Sequence, residues 1–419
     1  MSRQPKAIAR DADHRGRTGF AGAAVLRAFG WAAVALVVGA LAVVSAGCGG
    51  GGGGGGSEAS TEIEGLGSTI GEIKSNARDE GQVDLIIWPG YADKSWTNDF
   101  TKQTGCKVVT KDGTTSDDMI DLISTGQYDG VSASGNASVR LMKRGDVAPV
   151  NTDLIPNYAD VAEGLKDQDY NSLDGQPYGV PHGRGPNLLM WRTDAVTPAP
   201  TSWSVIWDKN TAYKKKISIY DDSIFIADAA LYLKATQPDL GIENPYQLND
   251  EQFTAAVNLL KGLKPNVGEW WADYAKQIQS YANKDIVIGT TWPYQQNILV
   301  GDKKPVKAIK PKEGTTGWSD TWMIYSKAAH PNCMYLWMNY IDSPQAQAKV
   351  AEYFGEAPAN LKACKLTTNK SHCAQFHAAD EDWWKDVYYW TTPTADCGGK
   401  GGTCKTQQDW VNAWTEIRG

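Results

Sequence analysis

The chain has 419 residues, with 41 Lys+Arg against 48 Asp+Glu, a net charge of −7, and 42% hydrophobic residues. An acidic balance argues against a nucleic-acid partner and against attraction to anionic lipid by charge alone. The length exceeds one ordinary domain, and two are expected.

The first elements concern destination. A basic stretch with Arg15, Arg17 and Arg27 runs into the apolar segment from Trp31 to Val44, followed by Ser45, Ala46, Gly47 and Cys48. Charge, apolar core and small residues in that order read as a secretory signal. The apolar run is shorter than the roughly 20 residues needed to span a bilayer. The end of the segment resembles a bacterial lipobox with Cys48 as the acylated residue, although Ser45 stands where Leu is usual. A plain signal peptide with an incidental cysteine is the alternative. Residues 1–47 hold six basic and two acidic residues, so their removal leaves a net charge of −11. Gly49 to Gly56 is an unbroken glycine run, and the segment to Glu80 is mostly polar. It reads as a flexible tether that needs no secondary structure.

The body opens with a predicted strand, Val83–Trp88, and a helix from Ser95 to Thr104 stopped by Gly105, a residue suited to the left-handed C-cap. A strand from Cys106 to Thr110 follows, then a helix from Asp117 to Ser124 and a strand from Tyr128 to Ser132. The second set comprises strands near Leu188–Asp194, Lys216–Tyr220 and Ile286–Thr290, with helices Ile226–Thr236 and Asp250–Leu263 between them. Trp322–Ser326 as strand and Cys333–Tyr340 as helix return to the first pattern. Alternation of this kind predicts an α/β fold with largely parallel sheets. Ligands in such folds gather beyond the strand C-termini.

Besides Cys48, six cysteines remain: Cys106, Cys333, Cys364, Cys373, Cys397 and Cys404. An even number in an exported chain predicts disulfides, with fifteen possible pairings. Proximity favours Cys364–Cys373 and Cys397–Cys404, which leaves Cys106 with Cys333. No CxxC pair occurs, and His372 and His377 flank Cys373 without zinc-site spacing, so no metal is expected.

Short motifs then accumulate in order: Trp88-Pro-Gly-Tyr91, Phe100 to Gly105, Tyr128 to Ser134, Tyr178-Gly-Val-Pro181, Thr201-Ser-Trp203 with Trp207, and Tyr220-Asp-Asp222. Ile288 to Trp292, Pro311 to Gly314, Trp318-Ser-Asp320 and Pro358-Ala-Asn360 complete the series. On these motifs the chain resembles the spermidine/putrescine periplasmic-binding protein family from about Val83 to its end. The resemblance implies a two-lobed periplasmic-binding-protein fold, type II-like, with mostly parallel sheets flanked by helices and the ligand in the interlobe cleft. Residues 1–47 would then be a lipoprotein signal peptide and 48–81 a Gly-rich tether. Residues 82–181 would form the first part of lobe 1, 182–317 lobe 2 with the hinge crossovers, and 318–361 the return to lobe 1. Residues 362–419 would be a disulfide-stapled C-terminal segment on lobe 2.

The family's function implies a receptor of an ABC importer, not an enzyme, without cofactor. It would be exported, lipid-anchored at the outer face of the cytoplasmic membrane, monomeric, and partnered by a small amine-bearing ligand and a permease. Trp88, Tyr91, Trp292 and Trp318 match the aromatic box, Asp320 the amine-binding aspartate, Asp222 a second acidic position and Ser134 a hydroxyl at the rim. The chemistry fits independently, because aromatic faces attract cations and a buried carboxylate forms strong charge-assisted hydrogen bonds. Trp203, Trp207, Trp270, Trp271, Trp337 and Trp410 are assigned to packing, and Asp222 is also placed to cap a helix.

Three acidic positions of the family are replaced here by Phe225, Gly90 and Gln295, and His182-Gly-Arg184-Gly replaces an aromatic-rich crossover. Arginine pairs bidentately with carboxylates. A zwitterion such as an ω-amino acid, with its amine on Asp320 and its carboxylate on Arg184, is therefore the second reading, and a hinge salt bridge is the alternative for Arg184. A reading of another class is an anchored glycoside hydrolase, since tryptophans and paired carboxylates also build sugar clefts. No G-x-S-x-G, H-E-x-x-H or P-loop motif supports an enzyme.

Overall fold

The structure is a computed structural model and describes residues 63–398 and 402–419. The signal segment, Cys48 and the tether up to residue 62 lie outside the described residues. No helix among the described residues is long and apolar enough to cross a membrane.

Short, mostly buried apolar runs pair into three main sheets. In the first, Lys107–Asp112, Gln82–Ile87, Gly130–Ala133 and Val180–Pro181 run in one direction, and Thr321–Ile324, between the last two, runs against them. The second sheet repeats the arrangement. Val267–Trp271, Ile217–Tyr220, Ile288–Thr291 and Val306–Ile309 run in one direction, and Leu188–Arg192, between the last two, runs against them. The sheets are thus mixed rather than mostly parallel. The reversed strand in each is the one that directly follows a crossing strand, not one reached by a right-handed helical crossover.

A third sheet carries those crossings. Gly183–Pro186 leaves lobe 1 and Thr315–Trp318 returns to it, paired antiparallel with Gly185 opposite Trp318. Ala357–Pro358 and Val387–Tyr389 add one strand at each edge. A side chain cannot fit at Gly185, where a Cβ would stand 2.1 Å from the Trp318 ring.

Helices Lys94–Thr104, Pro331–Ile341 and Pro344–Phe354 cover lobe 1. Trp96, Phe100, Trp322 and Trp337 are fully buried beneath them. Helices Ile226–Thr236, Asp250–Leu263 and Tyr274–Asn283 cover lobe 2, joined by the C-terminal helix Gln407–Arg418. Trp410 of that last helix packs against Phe253 and Tyr246, and Trp414 against Phe225 and Trp270. These rings belong to the cores, as expected for Trp270, Trp337 and Trp410.

One element corrects the tether's boundary. Ile70–Glu80 is an α-helix, N-capped by Thr69 and ended by Gly81 at φ +69°. Its Ile73 and Ala77 are buried, and Glu80 accepts the backbone N–H of Asn332 and Cys333 at the start of helix Pro331–Ile341. A carboxylate at a helix N-terminus is favourable by charge and by hydrogen bonding. Two buried apolar residues make too thin a stripe to read as a helix from composition.

All three disulfides pair as proximity suggests: Cys106–Cys333, Cys364–Cys373 and Cys397–Cys404. The first ties the helix Pro331–Ile341 to the strand beginning at Lys107, across 227 residues of sequence.

Candidate functional site

The first two sheets present their strand ends to one another, and the motif residues sit just beyond them. Trp88 and Tyr91 follow Gln82–Ile87, and Ser134 follows Gly130–Ala133. Trp292 follows Ile288–Thr291. Asp320 lies in the two-residue turn between Thr315–Trp318 and Thr321–Ile324, where the hinge strand passes into lobe 1.

Asp320 is 3% exposed. Ser134 Oγ donates to its Oδ1 at 2.5 Å, and the Tyr91 hydroxyl donates to its Oδ2 at 2.6 Å. Ser134 stands at the N-cap of helix Gly135–Arg144 but makes no side-chain cap bond, because its hydroxyl goes to Asp320. Burial raises the Asp320 carboxyl to about 6, and the two hydroxyl donors hold it from rising further. The site therefore contains a carboxylate that is ionised at neutral pH and paired with neutral donors, with no cation beside it among the described residues.

Aromatic rings at the strand ends form two groups. Trp88 meets Trp292 edge-to-face at 5.9 Å, and Trp292 leans on Tyr220 at 5.4 Å and Trp271 at 5.0 Å. On the other side Trp318 and Phe354 pack at 5.3 Å, with Tyr91 5.0 Å from Phe354. The contacts thus join four of the eight predicted residues, Tyr91, Ser134, Trp318 and Asp320, and pair Trp88 with Trp292 in a second group whose Tyr220 feels the Asp320 charge. The structure also places Trp271, expected as simple packing, against the back of Trp292.

Asp222 and Arg184 are placed differently. Asp222 Oδ1 accepts from Ile224 N–H at 2.9 Å and caps the 3-10 turn Ser223–Phe225. Burial raises its carboxyl to about 6, with Asp117 of lobe 1 adding to the rise. Arg184 does not join the cluster. Its guanidinium, 3% exposed, donates to both oxygens of Glu381 at 2.5 and 3.1 Å and to Ala378 O at 3.2 Å, and it lies 4.4 Å over the Trp384 ring. That is the hinge-side ion pair. Arginine's planar fork is fully occupied by a carboxylate of the chain itself, which removes the expected carboxylate-binding arm of a zwitterion site.

The replacements also resolve locally. Phe225 stacks on Trp207 at 5.8 Å inside lobe 2. Gln295 donates to Gln277, which donates in turn to Ser218 Oγ and Thr290 O, a buried amide relay behind the cluster. Gly90 has φ +94° and would set a Cβ 3.4 Å from Tyr294 and Tyr353.

Residues not anticipated complete the surroundings: Tyr220, His182, Phe354 and Trp390. His182 stacks on Tyr91, and Trp390 lies parallel to Tyr220 at 5.7 Å. Tyr220 and His182 each open a segment singled out in the sequence, and Phe354 and Trp390 lie in none. Two surface cavities, about 840 and 770 Å³, lie elsewhere on lobe 1, one beside Ile63 and Pro149 and one beside Lys74 and Arg78. Asp84, Asp129 and His330 also cluster, but Asp129 is taken up by the N–H groups of Asp84 and His330 and by the His330 ring. That triad holds a strand and a helix start together.

Residues 95–375 match the family model described as bacterial extracellular solute-binding protein. The chain is 25% identical over 301 residues to the spermidine/putrescine-binding periplasmic protein of Escherichia coli (strain K12), covering 71% of this chain and 83% of that one. Among solved structures, a spermidine/putrescine ABC transporter protein from Listeria monocytogenes superposes with a TM-score of 0.68 at 18% identity. That superposition covers 81% of this chain and 99% of the other. A lipoprotein of Treponema pallidum gives 0.62 at 19% identity, covering 80% and 99%.

Proposed function

Because the chain belongs to the bacterial extracellular solute-binding protein family, whose members bind solutes for ABC permeases and do not transform them, we propose that its solute is a polyamine held by Asp320 inside an aromatic cage. The reading rests on one observation above others. Asp320 is a buried carboxylate with two hydroxyl donors and no positive partner among the described residues, bonded by Tyr91, whose ring leans on Trp318. A buried charge calls for a counter-charge. An alkyl-ammonium supplies it, with methylenes that suit the aromatic faces and a cation that the ring quadrupoles attract by about 0.5–2 kcal/mol each. Putrescine- and spermidine-binding relatives support that ligand class. The ω-amino-acid reading loses its support once Arg184 is paired with Glu381.

The first lobe is read as 82–181 with 318–361, to which helix Ile70–Glu80 is added, and the second as 182–317 with 362–419. Hinge closure around the ligand is the signal to the permease, since a ligand favours whichever form it binds better. Acylation at Cys48 would tether this receptor to the outer face of the cytoplasmic membrane, a reading supported by the lipobox-like sequence and by a lipoprotein of like fold. Cys48→Ala expressed in the native host should move the protein from the membrane fraction to the soluble one.

The test of ligand class is calorimetric titration of the mature protein with putrescine, cadaverine, spermidine, γ-aminobutyrate, betaine and maltose. Saturable binding of a diamine or polyamine, lost in Asp320→Asn, is expected. Binding of maltose or betaine alone would reject the polyamine assignment.

A further inference from the structure

The segment from 362 onward is more than a stapled appendage. Its strand Val387–Tyr389 pairs in parallel with the hinge strand Thr315–Trp318, and Trp390 N–H donates to Gly317 O at 2.8 Å. This sets Trp390 beside Trp318 on the neighbouring strand. The Trp390 ring, buried, lies parallel to Tyr220, with planes 9° apart and centroids 5.7 Å apart. Through Tyr220 it continues the aromatic wall that runs to Trp292 and Trp88.

The backbone here crosses lobe 1 at contact distance. A Cβ on Gly135 would lie 1.8 Å from the Trp390 carbonyl oxygen, so only glycine fits. Thr392 Oγ1 donates to Asn136 O at 3.0 Å. Gly135 follows Ser134, whose hydroxyl holds Asp320. The Trp390 backbone therefore passes the turn after Ser134, while its ring reaches away to stack on Tyr220 of lobe 2. Core tryptophans such as Trp96 and Trp337 share its unpaired indole N–H, so position rather than that atom distinguishes it. Disulfides Cys364–Cys373 and Cys397–Cys404 flank the segment and fix its path.

We propose that Trp390 is a ligand-contacting residue that closes one end of the cage and sets the chain length of the amine it accepts. The inference rests on the polyamine reading and adds to it. With one ammonium on Asp320, the alkyl chain runs along the aromatic wall until Trp390 stops it. An indole at that end penalises each extra methylene, and one methylene in a shaped apolar pocket changes affinity about tenfold or more.

The experiment titrates the full mature chain with α,ω-diamines of three to six carbons and with spermidine. Wild type, Trp390→Ala, Trp390→Phe and Asp320→Asn are compared. Wild type is expected to show a single optimum length. Trp390→Phe should keep that optimum, because a ring remains, and Trp390→Ala should move it longer by at least one methylene. An optimum unmoved in Trp390→Ala, with affinity either unchanged or uniformly reduced, overturns the assignment while Asp320-dependent binding leaves the polyamine reading standing. Failure of wild type to bind any of these amines overturns both.

Discussion

Tyr91 stacks on His182, with ring centroids 3.7 Å apart and planes at 18°, while its hydroxyl is donated to Asp320. His182 is in turn fixed by Trp322, whose indole N–H donates to Nδ1 at 2.9 Å, and by Gln347, which donates to its carbonyl oxygen. Burial pushes the imidazole down to about 3, so it is neutral throughout the physiological range. The ring acts as a rigid backing for Tyr91 and not as a charge. His182→Ala should lower folding stability by about 2–4 kcal/mol, combining a core cavity with an unpaired Trp322 N–H. Urea unfolding at pH 7 measures this, and a loss under about 0.5 kcal/mol would show that the stack contributes nothing to the fold.

Ligand binding should depend on pH through Asp320. Its carboxyl titrates near 6 in the protein, raised by burial. An ammonium partner stabilises the charged form, so the complex holds that proton less tightly than the free protein does. Binding then releases a proton below the free value, and affinity falls as pH drops through 6. Between pH 8 and pH 5 the expected loss is about tenfold, with little change above pH 7. Calorimetry in two buffers of different ionisation enthalpy would register the released proton directly. Affinity that is flat from pH 5 to 8 in the wild type excludes Asp320 as the anchoring group.

Arg184→Ala should leave diamine affinity within about twofold, because the guanidinium is spent on Glu381, Ala378 and Trp384 on the hinge side. Stability should fall by about 1–3 kcal/mol. Glu381 is largely exposed, so solvent screens the pair and the main loss is packing on Trp384 and the bond to a buried carbonyl. Thermal denaturation with and without putrescine separates the two effects. A tenfold or greater fall in affinity would return Arg184 to the ligand site.

Local signals were the legible ones. Helices Ile226–Thr236 and Asp250–Leu263 occupy the residues that apolar spacing indicates, the second opened by an Asn249/Gln252 capping box. The strand-end position of Trp88, Trp292 and Asp320 follows from the α/β pattern. Contacts made far along the chain were not legible. Glu381 lies 197 residues beyond Arg184, so the arginine's partner left no trace beside it. Trp390 reaches the cluster only because Val387–Tyr389 adds to the hinge sheet. Asp222 could be read as cap or ligand, and the bond to Ile224 shows it already engaged.

The Cys106–Cys333 bridge should matter more than the two short ones. It closes a loop of 227 residues, against 9 and 7 for the others. On the loop-entropy model the long crosslink is worth roughly 5 kcal/mol and a nine-residue one roughly half of that. Cys106→Ala/Cys333→Ala should therefore lower the urea midpoint well beyond Cys364→Ala/Cys373→Ala. Equal losses from the two double variants would mean that constraint of the unfolded chain is not the source of the effect.

Glu356 gives stability a pH slope of its own. It is fully buried beside His182, with the nearest oxygen 3.4 Å from Nε2. Burial raises its carboxyl well above the usual range, and the charge on Asp320 raises it further. The folded protein therefore keeps this proton at pH values where the unfolded chain, titrating near 4.5, has lost it. The folded state binds more protons, so stability declines as pH rises above about 4.5 and continues to decline up to the folded value. Asp342, also buried and raised, acts in the same direction, so the informative quantity is the difference between variant and wild type. Glu356→Gln has the shape of the neutral acid and no proton to lose. Its melting temperature should match wild type near pH 4.5 and exceed it by several degrees at pH 8, since each tenfold difference in proton affinity between the folded and unfolded chain is worth about 1.4 kcal/mol. Parallel melting curves across that range would mean that Glu356 ionises in the folded protein much as it does in the unfolded chain.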